Sequence, residues 1–371
     1  MLTQDIPADL IIFFILYGIT GVVPIIGAVY LLLRRANAFS PDITPPVRLR
    51  RWAASFLLVA AFGHIWWMLF YIFSREMYSV AYMVVALLDF VGMITTITGT
   101  MFSMLQDRQR PIWPVFVAMI PFMVLAALQL IYPDHSFMEM AFIYNLSLYV
   151  VFFVYMVFAV RRYGQWLNNN YADLENKKIW LSQAVSLAFV LLFILYVLVD
   201  TYTILLYLLH IIELVFFGLL LWRVETLPQL DSISTEEACS ESVQEEHPSE
   251  TLLYIDLVQM EQLLAERCMG TQLYLQHELT LNQLAQTIGT NRFYLSQYFS
   301  RQGITYNTYI NNLRINHFIS LYQEALQNGQ PIIAQQLASD SGYRSYSTFS
   351  LAFKQRMGQS VTAWMRDTTG E

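Results

Sequence analysis

LTLNQLAQTIGTNRFYLSQYFSRQGITYNTYINNLRI, residues 279–315, decides the fold of the C-terminal third of this chain. Thr280 and Gln283 have the spacing of a capping box, and Leu281, Leu284, Ala285 and Ile288 then recur at helical intervals. Gly289 ends that helix. Asn291 is suited to cap the next one, which carries Phe293, Leu295, Tyr298 and Phe299. A short helix, a glycine turn and a second helix make a helix-turn-helix pattern, and the small Ala285 lets the two helices approach closely.

The pattern recurs downstream. Leu337 and Ala338 precede Gly342, then Arg344-Ser345-Tyr346-Ser347-Thr348-Phe349, then Leu351, Ala352 and Phe353. Ala285–Gly289 and Ala338–Gly342 share one spacing, and Leu295/Phe299 match Phe349/Phe353. The units are expected over about 279–303 and 332–358, joined by a long helix over 306–327. A further helix is expected over 251–268.

Upstream, residues 224–250 are acidic, rich in Ser and without aromatics, the composition of a disordered tether. Cys239 and Cys268 are the only cysteines. With no ligand-like histidine beside them, they read as free thiols in a reducing compartment.

Residues 1–223 differ in kind. The whole chain is 56% hydrophobic and 13% charged, against roughly 25% charged for a soluble domain. A membrane-spanning helix needs about 20 mostly apolar residues, and such stretches run near 10–33, 52–73, 80–105, 112–132, 137–160, 179–199 and 203–222. The first follows acidic residues and is too long for a cleaved leader, so it reads as an anchor. The first, third and fifth loops hold Arg34, Arg35, Arg48, Arg50, Arg51, Arg108, Arg110, Arg161, Arg162, Lys177 and Lys178; the other loops hold only Arg75. This bias puts the N-terminus outside and everything after Arg223 in the cytoplasm. Trp52, Trp113, Trp166, Trp180 and Trp222 stand near span ends, as interfacial rings do. The expected fold is therefore all-α: a seven-transmembrane-helix bundle (1–223), a linker (224–250) and a cytoplasmic tandem helix-turn-helix domain (251–371).

His64, Asp89, Gln129, Asn145, His210 and Glu213 are polar residues inside spans. Ionisable groups there are candidates for sensing or catalysis, and His64, Asp89, His210 and Glu213 are the candidate sensor set. His210 and Glu213 share a helix face. They could fix helix register by pairing across the bundle, or line a ligand pocket. Their H-x-x-E spacing lacks the second histidine of a zincin motif, and no G-x-S-x-G elbow is present, so no catalytic residue, metal ligand or cofactor is expected.

The stretches 279–315 and LASDSGYRSYSTFSLAFKQRMGQSVTAWMR (337–366) resemble the AraC/XylS-type transcriptional regulators, including their membrane-bound members. The resemblance implies two recognition helices entering successive major grooves of double-stranded DNA. Carried over by position, base reading falls on Phe293, Ser296 and Gln297 in the first unit and on Tyr346, Ser347 and Leu351 in the second, with Ser345 beside them. Gln297 could read adenine, Arg292 or Arg344 could hold a phosphate or a guanine, and Asn291 and Lys354 fit backbone contacts. Phe293 and Tyr346 could instead pack partly into the core. Four positions, in three kinds of departure, differ from the family pattern. Gln297 and Leu351 stand where an arginine is common, Phe318 where a small residue is usual, and Val361 where a proline follows the last glycine.

From residue 250 onward there are eight Lys/Arg and nine Asp/Glu. One copy therefore has little nonspecific DNA affinity, which favours a homodimer. The resulting expectation is a one-component regulator in the inner membrane of a bacterium, responding to an unidentified ligand or signal and acting on RNA polymerase. A scaffold whose helix-turn-helix module binds protein, and an intramembrane enzyme or transporter, remain as alternatives.

Overall fold

The computed structural model describes residues 8–73, 80–132, 136–175, 177–198, 203–230 and 258–369. The chain divides into two compact units, Met1–Tyr163 with Ile179–Ser234, and Gly164–Lys178 with Thr235–Glu371. Every regular element among the described residues is helical, as the sequence implied; Tyr171 and Thr280 form an isolated antiparallel bridge.

The first unit is built from α1 (Ala8–Leu33), α2 (Val47–Phe73), α3 (Val80–Met104), α4 (Trp113–Ile131), α5 (Ser136–Asn170), α6 (Trp180–Leu198) and α7 (Thr203–Thr226). Five of these contain stretches long and apolar enough to cross a membrane: Ile11–Leu33, Val47–Leu69, Val84–Met104, Glu139–Asn170 and Tyr207–Thr226. Trp113–Gln129 and Trp180–Leu192 are shorter apolar helices. The expected seven helices are present, but two fall short of span length among the described residues. The turn expected at Asp200–Thr203 lies almost wholly outside those residues.

Apolar side chains face outward along these helices, while hydroxyls are drawn inward. Ile26, Leu33, Ile143 and Val151 face outward, while Thr96, Thr98, Thr100 and Ser103 of α3 are buried. Three of these hydroxyls donate to the carbonyl one turn back: Thr96 to Gly92, Thr100 to Thr96 and Ser103 to Gly99, at 2.7–2.8 Å. Small residues let apolar helices close up. At Gly99 the Trp52 indole lies where a Cβ would be, so α2 and α3 meet there through glycine.

Residues 224–230, assigned to the tether from composition, are instead part of this unit. Val224, Glu225 and Leu227 are fully buried. Glu225 pairs with Arg34 at 2.7 Å and accepts from the Tyr30 hydroxyl at 3.2 Å. The Gln106 amide donates to the Pro228 carbonyl at 3.0 Å and accepts from the Leu230 N–H at 2.9 Å. Local composition could not reveal these partners, which lie far away in sequence. Residues 231–250, with Cys239, lie outside the described residues.

In the second unit a helical segment over 258–264 runs into a π turn, Ala265–Met269, and a 3-10 turn, Leu273–Leu275. There follow α8 (Leu281–Ile288), α9 (Arg292–Arg301), α10 (Tyr306–Gln327), α11 (Ala334–Asp340), α12 (Tyr346–Met357) and α13 (Val361–Thr369). The Thr280–Gln283 capping box forms as its spacing predicts, and Gly289 closes α8 at φ +83°. The equivalent Gly342, at φ +87°, leads into α12. Both need glycine, because a left-handed backbone strains any residue with a Cβ.

Two cores result. Leu281, Leu284, Ala285, Ile288, Leu295 and Phe299 pack with Tyr306 and Ile310 of α10. Ala338, Tyr343, Phe349, Phe353 and Val361 pack with Ile315 and Phe318 from further along α10. One helix thus supplies both cores. Phe318 is fully buried, with its ring 4.5 Å from Phe349 and 5.8 Å from Phe353. Its departure from the family pattern, like that of buried Val361, is absorbed by packing.

Candidate functional site

The second elements of the two helix-turn-helix units, α9 and α12, present the predicted DNA-reading residues. Along α9, Phe293 is 67% exposed and Ser296 is exposed, while Arg292 and Gln297 are half-buried. Along α12, Ser347, Leu351 and Lys354 are exposed, as is Arg344 just before it. Phe293 therefore stands clear of the core. Tyr346 does not: it is half-buried against the second core, 5.7 Å from the Phe349 ring. Asn291 and Ser345 have a local role as well. Their side-chain oxygens cap α9 and α12, accepting from Tyr294 N at 2.9 Å and Thr348 N at 3.3 Å. Capping of this kind contributes about 1 kcal/mol and fixes where each of these helices begins.

Sequence reasoning missed a component of this unit. Residues 164–178, between the apolar parts of α5 and α6, are built into it. Ala172 joins the first core. Its N–H donates to the Leu279 carbonyl at 3.2 Å, and the carbonyls of Tyr171 and Ala172 accept from the Asn307 amide. Asp173 accepts from Glu278 N at 2.7 Å and pairs with Arg314 at 2.7 Å. Arg314 is wholly buried on α10 between the two cores. It also donates to the carbonyls of Tyr274 and Gln276, at 2.7 and 2.8 Å, and its guanidinium lies over the Tyr343 ring. Such a buried cation requires a buried anion, and the loop supplies it.

The same loop reaches α9 and α12. Asn170 accepts from Arg292 Nε at 3.0 Å, and Glu175 accepts from the Thr348 hydroxyl at 3.4 Å. Glu278, beside the loop's Lys177, pairs with Arg344 at 3.1 Å. Two of the cations assigned to DNA thus already face oxygen acceptors. The signal available in the sequence was Asp173 and Glu175, carboxylates in an otherwise basic loop.

Cys268 is a free thiol, as read, but it belongs to the first core, and burial pushes it up to about 11. It is a packing residue rather than a reactive thiolate. Burial likewise raises the Tyr306 and Tyr343 phenols.

Within the first unit, three of the four candidate sensor residues converge. His64 of α2 and His210 and Glu213 of α7 bring one donor atom each to within 4.8 Å of one another. Asp89 stands beside Gly63 and accepts from the Trp67 indole at 3.4 Å; it is not one of the converging donors. The buried side-chain carbonyl oxygen of Gln129 has no hydrogen-bond partner among the described residues.

Two capped, glycine-turned helix pairs on one spanning helix, with polar side chains exposed along the second helix of each, define a tandem helix-turn-helix DNA-binding domain. A family model described as a helix-turn-helix domain matches residues 284–367, and this part of the chain is a helix-turn-helix domain of the AraC type, the DNA-binding part of transcription regulators. No curated protein and no solved structure matches the chain.

Proposed function

We propose that the chain is a membrane-tethered, sequence-specific transcription regulator in which the apolar helices pass a signal to the DNA-binding unit. The observation that carries this reading is the incorporation of 164–178 into that unit, through Ala172 and the Asp173–Arg314 pair. A displacement of α5 against α6 acts directly on a loop that holds Arg314 and touches Arg292 and Thr348. This loop is the route by which such a signal would reach the DNA-binding unit. A signal must still favour one arrangement of the loop over another to have any effect.

Several observations support the rest of the reading. The lipid-like exterior of the first unit and the eleven-to-one Lys/Arg bias favour a multi-pass protein of a bacterial inner membrane, with the C-terminal unit in the cytoplasm. The near-neutral C-terminal domain favours a homodimer on DNA, and regulation there acts on RNA polymerase. A full-length protein that occupies its operator as a strict monomer would refute the dimer.

Genome-wide occupancy of the full chain tests the reading. Gln297→Ala with Ser347→Ala is expected to abolish occupancy at discrete sites, and unaltered occupancy would favour the protein-binding scaffold. Asn170→Ala with Glu175→Gln is expected to keep the same sites but change how fully they are occupied. Wild-type levels there would overturn coupling through the loop while leaving DNA binding intact.

A further inference from the structure

The H-x-x-E pair of α7 gains its second histidine from another helix. His64 Nε2 lies 3.4 Å from Glu213 Oε2, and His210 Nδ1 lies 3.6 Å from the same oxygen. Ligand atoms held about 2.0–2.2 Å from one tetrahedral ion stand roughly 3.3–3.6 Å apart, whereas an N–H···O bond closes to about 2.7–3.2 Å. These separations suit the edges of a coordination sphere better than direct hydrogen bonds.

The rings are set for ligation. His64 Nδ1 is 2.9 Å from the Ala60 carbonyl one turn earlier, which places the proton on Nδ1 and leaves the Nε2 lone pair toward Glu213. His210 is nine-tenths buried, and neither of its nitrogens has a hydrogen-bond partner among the described residues, Glu213 standing 3.6 Å from Nδ1. A buried polar group left so is costly, and an ion at Nδ1 would relieve it. Tyr17 and Phe13 of α1 wall the pair. The Tyr17 ring is 5.0 Å from His64 and 5.4 Å from His210, and the Phe13 ring is 5.8 Å from His210. The Tyr17 hydroxyl donates to the His64 carbonyl at 2.7 Å.

We propose that His64, His210 and Glu213 bind a divalent transition-metal ion of the zinc class. Two imidazoles and one carboxylate suit a borderline ion rather than magnesium or calcium, which take oxygen ligands. Three protein ligands leave a fourth position for water or an external ligand. The site lies among the apolar helices, and its assignment does not depend on what the C-terminal unit binds.

Metal titration of the full chain in nanodiscs, stripped with chelator, tests the site. Cobalt(II) is expected to bind at one equivalent per chain with visible d–d bands, which zinc(II) bleaches and excess magnesium does not. Zinc should also raise the thermal transition, since it binds only the folded state. His210→Asn and Glu213→Gln should each weaken zinc binding at least about 100-fold, the upper end of what losing a supporting partner alone does. His317→Asn, in the C-terminal unit, should leave it unchanged. A folded wild-type protein without the cobalt bands, or wild-type affinity in Glu213→Gln, overturns the proposal. If a variant fails to assemble, zinc-edge X-ray absorption of the wild type decides. Two imidazoles in the first shell support the site, and their absence overturns it.

Discussion

Arg314 is the residue on which the C-terminal unit turns, because it is buried between two cores and its carboxylate partner, Asp173, comes from a distant loop. Removing one member of a buried ion pair leaves an uncompensated charge, at about 3–5 kcal/mol. Asp173→Asn in the full chain should therefore lower hydrogen-exchange protection of α10 by about that amount. Adding Arg314→Met should recover much of it, since an apolar side chain needs no counter-ion. Unchanged protection in Asp173→Asn would show that the pair is dispensable. Beyond the carboxylates Asp173 and Glu175 in a basic loop, little of this was legible beforehand, because the helical pattern of 306–327 marks Arg314 only as one charge along a helix. The residues expected to read DNA fared differently. Phe293, Ser296, Ser347 and Leu351 are placed by the family resemblance, and they are exposed in the structure, with Leu295, Phe299, Phe349 and Phe353 on the core side. Core packing is left open by the sequence for Phe293 and Tyr346 alike; Phe293 is exposed, while Tyr346 is half-buried because the first turn of α12 still borders the core.

The turns carry the clearest agreement between sequence and structure. The Ala–Gly spacing repeated in the two units becomes two left-handed glycines at nearly equal φ, and the capping residues fall where their spacing predicts. The turns differ in what surrounds them. A Cβ on Gly342 would stand 2.7 Å from the Leu275 carbonyl oxygen, whereas one on Gly303, also left-handed, meets nothing within 4 Å. Both alanine variants carry the left-handed strain of about 1–2 kcal/mol. Gly342→Ala must in addition push the second turn away from the Leu273–Leu275 segment. Hydrogen exchange across 273–277 should thus rise in Gly342→Ala and stay at wild-type levels in Gly303→Ala. Equal behaviour of the two would mean that this close approach does not hold the two units together. The H-x-x-E pair on α7 marks the limit of local reading, since its spacing gave one helix face but could not announce His64 on α2.

At the scale of the whole molecule, composition separated an apolar part from a polar one, and the structure draws the boundary elsewhere. Residues 224–230 join the first unit, and 164–178 join the second. A fragment beginning at 251 would lack Ala172 from its core and Asp173 from Arg314, so the DNA-binding unit is discontinuous in sequence. The binding measurement consequently calls for the full chain. Selection from random duplexes by the full-length protein in nanodiscs tests the central claim most directly. The account predicts enrichment of a motif with two contact blocks about one helical turn apart, lost in Gln297→Ala with Ser347→Ala. A protein whose α10 is fully protected from exchange yet enriches no sequence would contradict it.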